Sequence, residues 1–278
     1  YDYDGEMINF ESSRFDISVT PNHTMLCYKR DKKTYYSLSA DQTIEKTESD
    51  RYFRSCALYN SKENIDNIYI ENFKVPIESF MKIVGYYLSE GCSTYNEDTR
   101  NYRVNISQSN NINSDICEDI ENCFSDSSLP YKKYSYSGMN HWIVLNKQIS
   151  KYFKDNFGEG SDTKRIPQWI KNLPPDILKS MISAIIDGDG STYSYSNGMY
   201  IQIATKSRVL AEDLLEVLFK CDLSPVLSDC IKVTKDCRQY VINCHYGPFG
   251  KNRFSRAKNN HISKKTYKGK VWCCETST

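Results

Sequence analysis

Two segments of this chain, 99 residues apart, repeat one pattern: an apolar run that ends in a carboxylate followed by glycine. Residues 83–91 contain the acid Glu90, and residues 182–190 contain the acid Asp189. The distance between the two acids leaves room for one compact α/β unit in each copy. A repeat of this length constrains the chain to fold as two related halves.

The elements around each acid also follow one order: helix, strand, helix, proline-containing turn and strand. Apolar residues at helical spacing and short alternating runs support these assignments. Each long helix ends at a glycine, Gly91 or Gly190, and glycine is common at helix C-termini. Five matched elements in the same order predict an internal duplication. They are residues 76–90, 102–108, 112–124, 129–130 and 141–146, and then 174–189, 200–205, 210–218, 223–225 and 238–243.

The segments outside the copies are predicted to form strands and turns, since residues 15–19 alternate and residues 267–278 return to alternation. Both ends of the chain are therefore expected to belong to one small β unit into which the duplicated core is inserted. The predicted boundaries are 1–75 for the N-terminal β segment, 76–171 for the first copy with its linker, 172–262 for the second copy, and 263–278 for the returning strand.

Composition places the chain among soluble globular proteins, with 39% hydrophobic and 26% charged residues in a length of 278. No apolar run reaches the roughly 18 residues that a membrane helix needs, so no membrane partner is expected. The eleven cysteines are odd in number and scattered among apolar residues. We expect reduced, buried thiols in an intracellular, cytoplasmic compartment, and no zinc site, because no Cys-x-x-Cys pair is present.

The net charge of +1 hides a strong asymmetry along the chain. Residues 1–130 have a balance of −9, residues 131–172 of +5, and residues 228–270 of +9. Basic segments at corresponding places of two copies predict a surface that follows a phosphate backbone. The alternative is a pair of solvated loops, and the symmetry of the two segments favours nucleic acid.

The two acidic helix ends suit a shared metal site. The third residue of each apolar run is small, Gly85 or Ala184, so the two helix backbones can approach closely as the axis of a pseudodimer. This packing would place Glu90 beside Asp189, and two carboxylates at close range repel unless a cation lies between them. Such oxygen ligands suit Mg²⁺, which can activate water for phosphodiester hydrolysis. The alternative is two ordinary amphipathic helices with a solvated acid before the glycine.

The two runs resemble the signature helices of the LAGLIDADG homing endonucleases in their single-chain form. The second run fits the consensus well, whereas the first has Glu90 where aspartate is commoner. The resemblance implies that Glu90 and Asp189 bind Mg²⁺, one for each DNA strand, and that Mn²⁺ or Ca²⁺ can replace Mg²⁺ for binding. Around the metal it places three further residues, Ser89, Gly91 and Gly188.

Further catalytic positions follow from the same resemblance. Lys164 begins a Lys-Arg-Ile-Pro stretch similar to the family's lysine-x-isoleucine-proline motif, 25 residues before the second acid. The match implies a basic group near the scissile phosphate that polarises water or stabilises charge in the transition state. Gln108 and its counterpart Thr205 match positions where polar residues organise active-site water. For the second copy, the corresponding lysine is Lys258, with Lys251 as the open alternative.

The resemblance implies an α/β (α+β) fold, in which a duplicated αββαββα core with two antiparallel sheets is flanked by a small partial β unit. In the family the sheets form a saddle in the major groove of double-stranded DNA, where base edges differ for all four base pairs. Two unequal halves predict a monomer with pseudo-two-fold symmetry and a long asymmetric target. We predict DNA contacts for Arg103, Asn105, Lys132, Lys133, Gln202, Lys206, Lys232 and Arg238.

The flanking segments resemble a second family. Residues 15–23 are similar to the Thr-x-x-His block of the Hint fold of inteins, with Thr20 and His23 at the motif positions. Residues 271–276 are similar to a later block of that fold, with Cys273 at its Asp/Cys position. No splicing nucleophile opens the chain and no His-Asn pair closes it, so we expect no splicing by this chain alone.

These patterns predict a site-specific, Mg²⁺-dependent double-strand DNA endonuclease of the homing type, associated with an intein-like element. Three alternatives remain: an intein whose activity is protein splicing, a DNA-binding regulator that has lost cleavage, and an unrelated α/β protein. Paired acids argue against the regulator, because binding alone does not need them. The matched order of five elements argues against the unrelated protein.

Overall fold

The computed structural model describes residues 1–12, 15–54, 59–61, 63, 65–195, 198–230, 239–246 and 254–272. It divides into a β unit, formed by Tyr1–Cys56 with Gly250–Thr278, and a duplicated unit, formed by Ala57–Phe249. The boundaries differ from those expected from the sequence, which lie after residues 75 and 262. Of the residues expected in the second copy, residues 254–262 belong to the β unit instead.

The N-terminal part of the β unit consists of short strands and one short helix. In chain order these are β1 (Asp2–Ser12), β2 (Phe15–Val19), β3 (Thr24–Lys29), β4 (Thr34–Ser39), α1 (Ala40–Glu45) and β5 (Tyr52–Arg54), with a 3-10 turn at Glu48–Asp50.

The duplicated unit begins with a hairpin, β6 (Asn67–Ile70) and β7 (Phe73–Pro76). The first copy follows as α2 (Ile77–Glu90), β8 (Gly91–Asn96), β9 (Asn101–Ser109), α3 (Ser114–Asp126), β10 (Tyr131–Tyr136) and β11 (Met139–Val144). The helices α4 (Lys147–Phe157) and α5 (Gln168–Lys171) lead to the second copy. The second copy comprises α6 (Pro175–Asp189), β12 (Ser191–Tyr195), β13 (Gly198–Thr205), α7 (Arg208–Lys220), β14 (Ser224–Cys230) and β15 (Gln239–Tyr246).

The two copies build sheets of identical topology. One sheet has the strand order β10-β11-β9-β8 and the other β14-β15-β13-β12, and every strand pairing within them is antiparallel. The predicted duplication and the mixed fold with antiparallel sheets are thus confirmed. The central strands are those that the sequence predicts, while the more polar edge strands β8, β10, β12 and β14 lack a clear alternation of apolar residues.

The chain returns to the β unit with β16 (Phe254–Arg256), a 3-10 turn at Asn259–His261, and β17 (Ile262–Lys270). One sheet of this unit has the order β17-β1-β2 and the other β16-β5-β3-β4. Strands β1 and β17 pair from Asp2 with Lys270 to Phe10 with Ile262. Both ends of the described chain therefore lie in one β unit, which is the arrangement that alternation at both ends predicts.

Buried apolar side chains give each unit its own core. In the β unit, Phe10 and Phe53 meet edge to face with ring centroids 5.5 Å apart. In the described ranges, Cys92 is exposed, and the buried cysteines include Cys27, Cys117, Cys123, Cys221 and Cys244. This burial agrees with thiols that serve as small apolar residues. None of the helices in the described ranges is long and apolar enough to cross a membrane.

Helices α2 and α6 pack against each other at very close range, as the small residues predict. A β-carbon added to Gly85 would lie 2.5 Å from the carbonyl oxygen of Met181 and 2.6 Å from the β-carbon of Ala184. Real β-carbons do not approach other atoms so closely. The absence of a side chain at Gly85 therefore sets the distance between the two helices.

The glycines after the two acids end their helices as predicted, but they do not adopt the left-handed conformation that is common at helix C-termini. Gly91 and Gly190 are both extended, with φ of −100° and −80°. Each lets the chain turn directly from helix into strand and pass close to the last helical turn. A β-carbon on Gly91 would lie 2.6 Å from the α-carbon of Tyr87, and one on Gly190 would lie 2.6 Å from that of Ile186.

The replacement Gly85→Ala tests this close approach. In a helix with free space, glycine to alanine stabilises by about 1 kcal/mol. Here the added methyl group overlaps α6, so we expect the free energy of unfolding to fall by about 1–3 kcal/mol. Urea denaturation measures the change, with Gly160→Ala as control, because a β-carbon there meets only the Asp162 carboxylate at 3.2 Å. A stabilised Gly85→Ala protein would contradict the packing.

Candidate active site at the paired helix ends

The last turns of α2 and α6 lie side by side. A β-carbon added to Gly188 would overlap the Ser89 side chain and lie 3.4 Å from Cγ of Glu90. The structure thus packs the end of one acidic run against the residue that precedes the second acid, Asp189. Ser89 keeps its hydroxyl within its own helix, donating to the Gly85 carbonyl at 3.2 Å. The two acidic runs converge as predicted from their symmetry.

A buried lysine lies near the two carboxylates. Lys164 lies between α4 and α5, and only 5% of its surface is exposed. Its ammonium donates to the Ser89 carbonyl at 3.1 Å and lies 5.8 Å from the ring centre of Tyr87. Burial lowers the pKa of Lys164, while the charges of Asp189 and Glu90 act in the opposite direction. The end of α2 therefore receives a cation beside its unpaired carbonyls, where the helix dipole favours positive charge.

The two acids resist ionisation. Burial raises the pKa of Glu90, the charge of Asp189 raises it further, and Lys164 lowers it. Burial also raises the pKa of Asp189, again with Lys164 acting against the shift. One lysine cannot fully compensate two carboxylates at neighbouring helix C-termini, where the dipole also disfavours negative charge. The site is therefore electrostatically suited to accept a further cation.

The side chains can contribute only part of a metal's coordination shell. In the described ranges, no group of three His, Cys, Asp or Glu side chains is close enough to hold a metal ion. Glu90 and Asp189 are hard oxygen donors, and Mg²⁺ commonly binds through one or two carboxylates while keeping waters or phosphate oxygens. The donor set fits such an ion. Gly91 and Gly188 can offer only backbone atoms, and their position reflects helix packing.

A cavity of about 190 Å³ opens beside the second acid. Lys164 and Asp189 line it together with Thr205 and the exposed Lys206. Thr205 accepts a hydrogen bond from the Ser207 backbone at 3.2 Å. Thr205 and Lys206, both predicted from the sequence, thus line the same cavity as the buried Lys164.

Gln108 has the register expected of the counterpart of Thr205. Gly91, directly after Glu90, pairs with Ile106, which lies two residues before Gln108. Ser191, two residues after Asp189, pairs with Gln202, so Ile203 corresponds to Ile106 and Thr205 corresponds to Gln108. Gln108 is only 4% exposed, however, and its amide oxygen accepts from the Ser109 backbone at 2.7 Å and from Asn113 at 3.0 Å. Its amide nitrogen is buried without a partner in the described part of the protein. The side chain is locked beneath the sheet and does not line the cavity.

Other predicted residues belong to the β unit or fall outside the described residues. Lys258 belongs to the β unit, where its backbone N–H donates to His261 at 3.3 Å, because the chain leaves the duplicated unit before this lysine. Four other predicted positions fall outside the described residues: Lys232, Arg238, Lys251 and Cys273.

The first sheet presents a polar face opposite the helices. Along it, Arg103 donates to Asn105 at 3.5 Å, Asn105 donates to Ser107 at 2.7 Å, and Ser107 lies 2.8 Å from Nδ1 of His141. The exposed Lys132 pairs with Ile143 on β11, whose neighbour Trp142 points to the core. Strand alternation therefore places Lys132 on the polar face with these residues.

Lys133 differs from the prediction of a DNA contact. It follows Lys132 directly in β10, and successive side chains in a strand point to opposite faces. Lys133 forms a 2.9 Å ion pair with Glu121 of α3 and lies 5.3 Å from the ring centre of Trp142. Glu121 also accepts a 2.8 Å hydrogen bond from the Trp142 indole. Lys133 thus belongs to the helix-covered side of the sheet.

The second sheet has an equivalent polar row. Gln202 donates to Asn243 at 2.9 Å, and Asn243 donates to Ser228 at 3.2 Å, so three adjacent strands are joined by side chains. The buried Ile201 and Ile203 flank Gln202 in sequence and point to the other face. Both copies therefore have a hydrogen-bonding row of polar side chains on this sheet face, and Gln202 belongs to the row of the second copy.

Two residues near the lysine were missed by sequence reasoning. The Ser207 hydroxyl donates to the Lys164 carbonyl at 2.6 Å, and the Asp213 carboxylate accepts from the Ile166 backbone at 2.8 Å. Asp213 could have been noticed, because it interrupts the apolar stripe of α7 between Leu210 and Leu214 and is only 7% exposed. A buried acid on an apolar stripe requires a partner.

The β unit contains a separate cavity of about 630 Å³. Thr20 and His23 line it, together with Tyr1, Val271 and Trp272. Thr20 donates to the Asn22 side chain at 2.7 Å, and the His23 backbone donates to the Thr20 carbonyl at 3.0 Å. The predicted turn is present, and its two motif residues face one cavity with the final described strand.

No family model matches the chain. It is 33% identical over 85 residues to an iron–sulfur cluster assembly SufBD family protein of Mycobacterium leprae, covering 30% of this chain and 10% of that protein. It is 24% identical over 201 residues to an uncharacterized protein of Methanocaldococcus jannaschii, covering 69% and 22%. It is 25% identical over 152 residues to a DNA polymerase of Thermococcus kodakarensis, covering 54% and 8%. The chain thus spans less than a quarter of each of these relatives.

Among solved structures, the chain is similar to I-DmoI in complex with DNA and Mn, with 14% identity and a TM-score of 0.43 over 60% of this chain and 89% of that one. It is also similar to the homing endonuclease I-WcaI bound to its DNA recognition sequence, with 15% identity and a TM-score of 0.41 over 62% and 76%.

The raised carboxylate pKa values predict how pH affects stability in EDTA. An acid whose pKa is higher in the folded state destabilises that state once pH rises above its unfolded value. The replacement Asp189→Asn should therefore raise the free energy of unfolding at neutral pH, with the gain shrinking below about pH 3.9. Asp176→Asn in the same helix is the control with opposite sign, because the Lys179 ammonium lowers the pKa of Asp176. Urea denaturation of each variant at neutral pH and below about pH 3.9 measures the free energy of unfolding. Equal changes in the two variants would contradict the opposite pKa shifts of Asp189 and Asp176.

Proposed function

We propose that this chain is a site-specific, divalent-metal-dependent endonuclease that cuts double-stranded DNA at a long asymmetric target. The observation that supports this most directly is the convergence of two repeat-related carboxylates on one buried lysine at paired helix ends. A protein that only binds DNA has no need of such an unfavourable cluster. Perturbed acids beside a specific charge partner are a mark of catalytic sites.

Glu90 and Asp189 would hold the metal, in this proposal, through carboxylate oxygens. A bound Mg²⁺ supplies an activated water and stabilises the leaving 3′ oxygen. The repulsion between the two acids is relieved when a cation is present, which draws the ion to the helix ends. Mn²⁺ or Ca²⁺ can take the same oxygen donors.

Lys164 would place a positive charge at the scissile phosphate. Its burial keeps water away from the ammonium, and in such surroundings a fixed charge stabilises a developing negative charge more strongly than in bulk solvent. Thr205 and Lys206 would contact water and phosphate in the cavity beside Asp189. Gln108 would influence the first site from beneath the sheet, since its amide is held in one orientation.

The two polar sheet faces would contact the DNA. Amide and hydroxyl groups on strands can pair with base edges in the major groove, and cations contact phosphates. Arg103, Asn105 and Gln202 would contribute to base readout, and Lys132 to phosphate binding. Because the two faces differ in side chains, a single chain would read an asymmetric site.

An intein-like origin would explain the pattern of relatives. The matched proteins have unrelated names, an iron–sulfur cluster assembly protein and a DNA polymerase, and the similarity occupies a small part of each. A segment shared by parts of unrelated proteins behaves as an inserted element. The β-unit cavity with Thr20 and His23 supports the same proposal, in which the Hint-like unit either splices within a longer chain or survives as a remnant.

The variants Glu90→Gln and Asp189→Asn test the catalytic proposal. Each keeps the size of the side chain and removes its charge, so we expect cleavage in Mg²⁺ to fall by at least roughly a hundredfold while specific DNA binding in Ca²⁺ persists. Asp187→Asn is the matched control, since Asp187 lies on α6 two residues earlier and lines a different cavity. Wild-type cutting by either acid variant would remove that acid from the metal site.

Lys132→Ala and Lys133→Ala test which sheet face meets DNA. Lys132 lies on the polar face as a proposed phosphate contact, so its loss should weaken binding and reduce the dependence of log affinity on log salt by about one unit. Lys133 is engaged by Glu121 on the helix side, so its loss should leave DNA affinity near the wild-type value. Electrophoretic mobility shifts over a salt series measure both; the reverse ranking would place DNA on the other face.

A further inference from the structure

The buried Ser207 makes two hydrogen bonds with one hydroxyl. As the N-cap of α7, it accepts from the Leu210 backbone at 3.1 Å. It also donates to the carbonyl oxygen of Lys164 at 2.6 Å. Only 1% of Ser207 and 5% of Lys164 are exposed, so water cannot replace either bond. The start of a second-copy helix is therefore tied to the backbone of the residue proposed to serve the scissile phosphate.

A second contact fixes the same stretch of chain. The carboxylate of Asp213, one turn and a half further along α7, accepts from the Ile166 backbone at 2.8 Å and from Lys171 at 2.7 Å. Lys171 also pairs with Glu216 at 2.9 Å. The stretch from Lys164 to Lys171 is thus attached to α7 at several points.

The opposite end of the lysine meets the first copy. Its ammonium donates to the Ser89 carbonyl in α2, while its own carbonyl accepts from Ser207 in α7. Lysine has a long side chain with many rotamers, so the position of its ammonium depends on how firmly its backbone is held. Lys164 is therefore held by the first copy at its ammonium and by the second copy at its backbone carbonyl.

We infer that Ser207 is a positioning residue for the proposed nuclease reaction: by donating to the Lys164 carbonyl, it holds the lysine at the distance from both acids that cleavage requires. This inference rests on the proposed function. Asp213 supports the same stretch from the next turns of α7. Misplacement of a reacting group by about 1 Å can cost about a hundredfold in rate.

The chemistry of the position demands a hydroxyl. A hydroxyl can donate one hydrogen bond and accept others at the same time, which the two contacts of Ser207 require. Threonine retains both abilities and is also a good N-cap. Glycine is tolerated at an N-cap with a loss of only a few tenths of a kcal/mol, but it cannot donate to Lys164. Ser207→Gly and Ser207→Thr therefore separate the two roles.

Asn146 provides a matched control. It is the N-cap of α4 and accepts from the Ile149 backbone at 3.1 Å, as Ser207 does in α7. Within the described residues, no hydrogen bond joins the Asn146 side chain to the Lys164–Lys171 stretch. Asn146→Gly thus removes an N-cap side chain without affecting the lysine.

The experiment measures single-turnover cleavage of a selected target in Mg²⁺, and DNA affinity in Ca²⁺, at a temperature where all variants are folded. We expect Ser207→Gly to cut roughly tenfold to a hundredfold more slowly with unchanged affinity. Ser207→Thr should recover most of the rate, and Asn146→Gly should cut like the wild type.

A double-mutant cycle then separates positioning from a general loss of structure. If Ser207 acts through the lysine, Ser207→Gly should change the residual rate of a Lys164→Met protein by less than about twofold, because the shared interaction is already lost. Equal slowing in both backgrounds, or equal rates for Ser207→Gly and Asn146→Gly, would overturn the inference. A wild-type protein that cuts no DNA would instead refute the proposed function.

Discussion

The close approach of α2 and α6 at Gly85 is the constraint on which the duplicated unit depends, because it brings Glu90 and Asp189 to neighbouring helix ends beside the buried Lys164. Burial disfavours the charge of Glu90, Asp189 and Lys164 alike, and the acids also stand at helix C-termini, where negative charge is unfavourable. The contact at Gly85 keeps the helices close enough to maintain this arrangement. A fold that holds such a cluster sacrifices stability at that point, which is the usual mark of a functional site.

Much of this arrangement could be predicted from sequence because it is repeated. Two copies of an apolar run with a small third residue imply both the packed helices and the meeting of Glu90 with Asp189. Apolar periodicity also gives the central strands and the longer helices, since burial on one face leaves a regular pattern. The association of the two chain ends follows from alternation at both ends.

The parts that could not be predicted depend on pairings between distant residues. Lys132 and Lys133 look equivalent in sequence, and only the register of an edge strand and the presence of Glu121 assign them to opposite faces. Gln108 does not line the cavity, because its side-chain oxygen accepts a hydrogen bond from Asn113. The Asn113 side chain makes this bond and does not cap α3. The contact between Ser207 and Lys164 joins residues 43 positions apart, and no local pattern reports it.

Selection of cleaved ends from a randomised DNA pool in Mg²⁺ tests most directly whether the paired helix ends act together on one duplex. The two sheets differ in side chains, and each copy contributes one acid at the paired helix ends. We therefore expect the recovered ends to share a single asymmetric sequence that is cut in both strands. Recovery of no enriched ends, or of a short site cut in one strand only, would contradict this account.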